Sequence, residues 1–137
     1  MSKIQEFLKN QEKSVMSNVE GKTIIDYFNN NAEEVPEYPA LNTPINSEYT
    51  GWDSVSWSAY RETVHNLASG LIDIGLQAED NAFIVANNVK EHFICDLGIM
   101  HAGAVPSTIY KQLKSGQIEY ISNLLEAKVA FVGDAEL

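Results

Sequence analysis

Ser107, Thr108 and Tyr110 fall at the carboxyl end of a short apolar stretch, AVPSTIY, that follows a glycine. Hydroxyls at such a place can hydrogen-bond a ligand, because in open α/β sheets ligands bind beyond the carboxyl ends of the strands. Three hydroxyls alone have low specificity, so they stand as candidate substrate-facing residues only. His92, Cys95 and Asp96 are spaced i, i+3, i+4 and share a helical face. That spacing suits a metal corner or a histidine-assisted thiol nucleophile. Neither chemistry is complete, since no third ligand, orienting group or oxyanion donor lies nearby. A free cysteine packed as a small core residue is the reading that weighs more. His101 sits in a last helical turn, where a cation suits the helix dipole. His65 reads as solvated, Asp73 as uninformative, and Glu79 with Asp80 as a water-facing turn pair. Trp52 and Trp57 read as anchors of a hairpin on a long helix. No residue is assigned a catalytic, cofactor-binding or metal-binding role.

These residues are positioned by a clear order of elements. Residues 1–22 read as a polar lead-in with one short helix around Ile4–Leu8. Residues 23–137 read as the folded portion. Thr23 and Asp26 form a capping box, with Ile24, Ile25, Tyr27 and Phe28 supplying an apolar face. That helix ends near Glu34, because Val35 precedes Pro36. PALNTPI and SVSW flank a turn-rich segment and predict a hairpin with Gly51 in the turn. Ser58 is placed to cap a long helix, in which Tyr60, Val64, Leu67, Ala68, Leu71 and Ile74 recur at helical spacing and Gly75 terminates.

Beyond Gly75 the pattern alternates. NAFIVA reads as a strand buried on both faces. A helix follows, with Asn88 and Glu91 at capping-box spacing and Gly103 as its stop. AVPSTIY is the next strand. Pro106 makes it irregular or puts it near a sheet edge, since proline cannot donate to a ladder. A helix capped by Ser115 and the strand KVAFVGD complete the run. Strand, helix, strand, helix, strand with short joins predicts a parallel sheet. Its carboxyl-end corners are Ala86–Asn88, Thr108–Leu113 and Gly133–Ala135. None carries a glycine-rich phosphate cradle or a P-loop lysine. The first could offer helix amide groups to an anion, but Asn88 capping its own helix is the reading preferred there.

The chain of 137 residues is long enough for one domain with a core. With 45% apolar and 20% charged residues, it has the balance of a globular protein. Its net charge of −10 opposes nucleic acid and anionic lipid. A single cysteine excludes an internal disulfide and a cysteine-rich zinc site. The opening MSKIQEFLKNQEK is too polar for a secretion signal, and no run approaches the ~20 apolar residues of a membrane span. A cytoplasmic location is expected, with peripheral attachment to a membrane left open.

The order of segments resembles the start of the AMP-forming adenylating enzymes, which include acyl-CoA synthetases, luciferases and peptide-synthetase adenylation domains. VSWSAYRETVHNLASGL is similar to their aromatic-then-long-helix motif. GIMHAGAVPSTIY is similar to their small-residue helix end followed by a strand with proline. TIIDYFNNNAEEVPEYPAL and QIEYISNLLEAKVAFVGD resemble the elements before and after, so the likeness covers residues 22–135. AVPSTIY with KQLKSGQIEYI is most like the long-chain fatty-acid CoA ligases, from which Lys111 and Gln112 depart slightly. The resemblance implies an α/β fold: an incomplete amino-terminal subdomain with a partial parallel sheet, flanking helices and an amino-terminal β-hairpin.

It also implies a parent that joins a fatty acid to coenzyme A with ATP and Mg²⁺, through an acyl-adenylate. The family's phosphate loop, adenine and metal motif, ribose aspartate and mobile lysine do not occur in these residues. No cofactor is therefore expected on this chain alone, and its foremost partner would be the remainder of its own chain. The alternative is a free-standing, non-catalytic α/β binding or assembly module that forms a homo-oligomer through an open sheet edge. A small flavodoxin-like nucleotide binder is a further option.

Overall fold

The computed structural model describes residues 2–133. Helix α1, Lys3–Val19, is followed by α2, Ile24–Glu34, and by the strands β1, Pro39–Pro44, and β2, Trp52–Ser56. Helix α3, Trp57–Asp73, leads into β3, Asn81–Val85; α4, Lys90–His101; β4, Val105–Thr108; α5, Ser115–Leu124; and β5, Val129–Val132. β1 and β2 form an antiparallel hairpin closed near Gly51, whose carbonyl accepts from the Ile45 amide at 3.0 Å. The other sheet is parallel, in the order β4-β3-β5. This is the α/β architecture expected, and Pro106 does lie on an edge strand.

Side-chain alternation sorts the sheet into two faces. Ala82 and Ile84 of β3, exposed by no more than 1%, pack with Ala68 and Leu71 of α3 and Ile99 of α4. Gly98 lets these helices approach closely: a Cβ there would stand 2.6 Å from a Leu67 methyl. A second cluster, Phe28, Tyr60 and Val64, ties α2 and the hairpin onto α3. Phe28 meets Tyr60 and Trp57 edge to face at centroid distances of 5.0 and 6.0 Å, a favoured aromatic geometry. The opposite sheet face is covered only lightly. No residue of α5 is buried, and Val132 of β5 is exposed.

Several local expectations need correction. The lead-in is one helix of 17 residues, longer than the short helix expected around Ile4–Leu8, and Ser2 and Gln5 close a capping box ahead of it. The cap of α3 is Ser56, which accepts from the Ala59 amide at 3.3 Å. Ser58 lies inside the first turn and meets Ser56 hydroxyl to hydroxyl. Ile74 falls past the helix end and is 71% exposed, since Gly75 turns the chain at φ +99°. Val89, not Asn88, precedes α4, and it offers no side-chain cap. α5 starts at Ser115, so Lys114 is its cap residue; the Lys114 amide donates to the Gln117 side chain at 3.0 Å. Trp57 anchors the hairpin as expected, but Trp52 is 54% exposed and touches only Tyr49 among the aromatic rings.

Other expectations match. Thr23 and Asp26 form the capping box of α2, and hydrogen bonding from Thr23 holds the Asp26 carboxyl below its ordinary value. Gly103 ends α4 at φ +78°, a conformation that disfavours a side chain.

Candidate functional site

β3 is the central strand. The chain leaves it for β4 on one side, then returns through α5 to β5 on the other. The path reverses here, and such switch points open crevices beyond the strand ends. Two clefts lie there, and both are bordered by Ala86, Asn87 and His92. The larger, about 520 Å³, has an apolar wall that includes Ile84, Cys95 and Phe131. The smaller, about 310 Å³, lies between the carboxyl ends of β3 and β4.

The predicted hydroxyls divide between the two faces of the sheet. Thr108 stands opposite Ile84, on the face packed by α4, and Ser107 stands opposite Phe83. Adjacent strand residues point to opposite sides, so Ser107 turns away from the smaller cleft while Thr108 and Tyr110 line it. Tyr110 is 75% exposed and Ile109 beneath it is buried.

His92 does not work with Cys95 and Asp96. Its Nε2 lies 3.1 Å from Thr108 Oγ1, which joins the first turn of α4 to the end of β4. Sequence spacing hid this contact, because it spans 16 residues and depends on the strand pairing. Cys95 is half-buried. Burial, with the carboxylates of Glu91 and Asp96, pushes its thiol up. A thiol held protonated is a poor nucleophile. Among the described residues no three His, Cys, Asp or Glu side chains converge to hold a metal.

His101 lies against the Phe28 ring, and its Nδ1 donates to the Leu97 carbonyl at 2.8 Å. His65 is exposed but its ring lies tilted against that of His101, with centroids 5.1 Å apart; partial burial first, then His101 and Arg61, lower its pKa. These contacts are structural. Asp80 accepts from the Gln77 amide at 2.9 Å, closing the turn before β3.

The smaller cleft is lined by carboxamides, a hydroxyl–imidazole pair, a phenol, an ammonium group and the Phe93 ring. Triad logic would need a partner for His92 Nδ1, and no hydrogen bond to that atom occurs among the described residues.

The fold places the molecule among α/β proteins with an open parallel sheet. The model of the family described as "AMP-binding enzyme" matches residues 28–137, and the chain belongs to that family. It is 29% identical over 125 residues to the long-chain-fatty-acid–CoA ligase heimdall of Drosophila melanogaster, covering 90% of this chain and 18% of that protein. It is 27% identical over 117 residues to the vibriobactin-specific 2,3-dihydroxybenzoate-AMP ligase of Vibrio cholerae, covering 84% of this chain and 20% of the relative. Among solved structures, the N-terminal subdomain of Klebsiella oxytoca NpsA shares the fold, with a TM-score of 0.70 at 20% identity over 82% of this chain and 28% of that one. The chain thus spans less than a third of each of these proteins.

The sequence holds no glycine-rich phosphate loop, and no cluster of cation ligands converges among the described residues. No described helix is long and apolar enough to cross a membrane.

Proposed function

We propose that the chain is the amino-terminal scaffold of a fatty-acyl-CoA synthetase, and that the remainder of the parent carries the chemistry. In the parent reaction a fatty-acid carboxylate attacks the α-phosphate of ATP, releasing pyrophosphate and leaving an acyl-adenylate. The thiol of coenzyme A then displaces AMP. ATP, Mg²⁺ and coenzyme A belong to that whole enzyme. The observation that carries this reading is the family match across residues 28–137. The fatty-acid choice is supported by the likeness to the Drosophila ligase. The relative in Vibrio cholerae acts on an aromatic acid, so acid choice is the part most in need of a test.

Two assays decide. ATP–pyrophosphate exchange with a panel of fatty and aromatic acids is expected to be absent for the 137-residue chain. It is expected to depend on fatty acids for a longer product of the same gene. Exchange by the short chain would overturn the scaffold role. Exchange driven only by aromatic acids in the longer product would overturn the fatty-acid reading.

A further inference from the structure

Helix α1 carries an apolar stripe that the described fold leaves uncovered, since none of its residues is buried. Ile4, Phe7, Leu8, Val15, Met16 and Val19 are between 40% and 71% exposed. At ~100° per residue, Ile4, Leu8, Val15 and Val19 fall within an arc of roughly 60°, with Phe7 on one side of it and Met16 on the other. Their order along the helix has a symmetry. Position 4 is matched by 19, 7 by 16 and 8 by 15, about a midpoint between Gln11 and Glu12. A bilayer, or a groove on another part of the chain, asks for no such symmetry. A two-fold pair does, because each contact of i with j is repeated as j with i. Charge points the same way. The net −10 of the chain opposes contact between copies over most of its surface, whereas α1 holds Lys3, Lys9 and Lys13 against Glu6 and Glu12. The helix also precedes residues 28–137, the part that the family model matches.

We propose that α1 is a self-association element that pairs with α1 of a second copy, antiparallel about the Gln11–Glu12 midpoint. Leu8 of each copy then faces Val15 of the other, and Ile4 faces Val19. The two Phe7 rings close one side of the seam and the two Met16 side chains the other. Glu12 lies at the margin of the stripe next to the axis. The pair therefore brings its two Glu12 carboxylates together, a like-charge contact that limits affinity. The six apolar side chains offer on the order of 1,000 Å² to the pair, the low end of a specific interface. The dimer is accordingly weak, with a dissociation constant on the order of 100 μM. At low micromolar concentration α1 stands free, and stability and exchange measured there are those of the single chain. This inference does not rest on the synthetase reading.

The test is sedimentation equilibrium of the 137-residue chain over a range of roughly 5 to 500 μM, which spans that constant. A reversible monomer–dimer equilibrium is expected. Leu8→Glu should abolish it. Glu12→Gln should strengthen it about threefold, the scale of one exposed charge contact. Leu124→Glu, at an exposed leucine of α5, should leave it unchanged. Circular dichroism verifies that each variant is folded. Spin labels on Lys3→Cys, with the free Cys95 changed to Ser, report the direction of pairing. They should lie about 25 Å or more apart along an antiparallel pair and close together in a parallel one. A monomer at every concentration would overturn the proposal. So would a dimer indifferent to Leu8→Glu or to Glu12→Gln, a dimer broken by Leu124→Glu, or labels close together. Phosphatidylcholine vesicles are expected to bind no more wild-type chain than Leu8→Glu; vesicle binding through α1 without self-association would assign the stripe to lipid instead and overturn the pair. None of these results bears on the exchange assays above, so the two readings fail separately.

Discussion

Tyr60 shows how one buried group couples stability to pH. Its side chain is 4% exposed, between Phe28 and α4. Burial first, then the nearby Asp96 carboxylate, pushes its phenol up to about 12 from an ordinary 10.0. The folded state therefore holds this proton more tightly than the unfolded chain does. The stability involved is fully present below pH 10.0 and is lost as pH rises through about 12. We expect unfolding free energy to fall by roughly 1–2 kcal/mol across that window, less than the full difference would give because solvent screens part of it. Urea titrations at stepped pH, run beside Tyr60→Phe, measure this. The variant should show a shallower decline, and parallel profiles would show that Tyr60 is not the group responsible.

At the scale of the element, caps decide where helices begin. Ser56 and Ser58 both lie at the start of the same helix, and Ser58 is the cap expected from the sequence. The structure selects Ser56, because its backbone is extended, with φ −71° and ψ 162°, and its hydroxyl reaches the Ala59 amide. Ser56→Ala should cost about 1 kcal/mol, and Ser58→Ala distinctly less. Thermal or urea midpoints compare them directly; equal losses would mean that the hydroxyl pair, not the cap, is what matters.

The same contrast shows what was legible. Apolar spacing together with turn and cap signals located every described helix and strand after residue 22, because the spacing reports which face is buried. Exact starts were less legible, because Ser, Asn and Lys at adjacent positions can each satisfy a first turn. For the site, the corners Ala86–Asn88 and Thr108–Leu113 are visible from strand ends alone, and parts of both line the smaller cleft. The Asp134 and Ala135 part of the third corner lies outside the described residues. The His92–Thr108 contact was hidden, since it requires knowing that β4 lies beside β3 and which of its faces meets α4. The separation of Ser107 from Thr108 follows from period two, once the strand is fixed.

Across the whole molecule, cohesion is uneven. α3 is the hub: one side packs on the sheet with α4, and another receives α2 and the hairpin. α1 takes no part in this. None of its residues is buried, and Ile4, Phe7 and Leu8 are 71%, 61% and 59% exposed. Its described link to the rest is a hydrogen bond from the Tyr27 hydroxyl to the Asn18 carbonyl. A helix without tertiary burial rests on its own caps and propensity, which in water hold a helix of this length only marginally. The global unfolding transition should therefore be indifferent to it. Removal of residues 1–19 should leave the urea midpoint and its slope unchanged within error, because little surface buried on folding is lost. Amide exchange in α1 of the intact chain should be fast, while the amides of β3 and α3 exchange only by global opening. A midpoint lowered by the truncation, or slow exchange in α1, would mean that its apolar side packs on the body in solution. In that case the hub would have to include α1 as well.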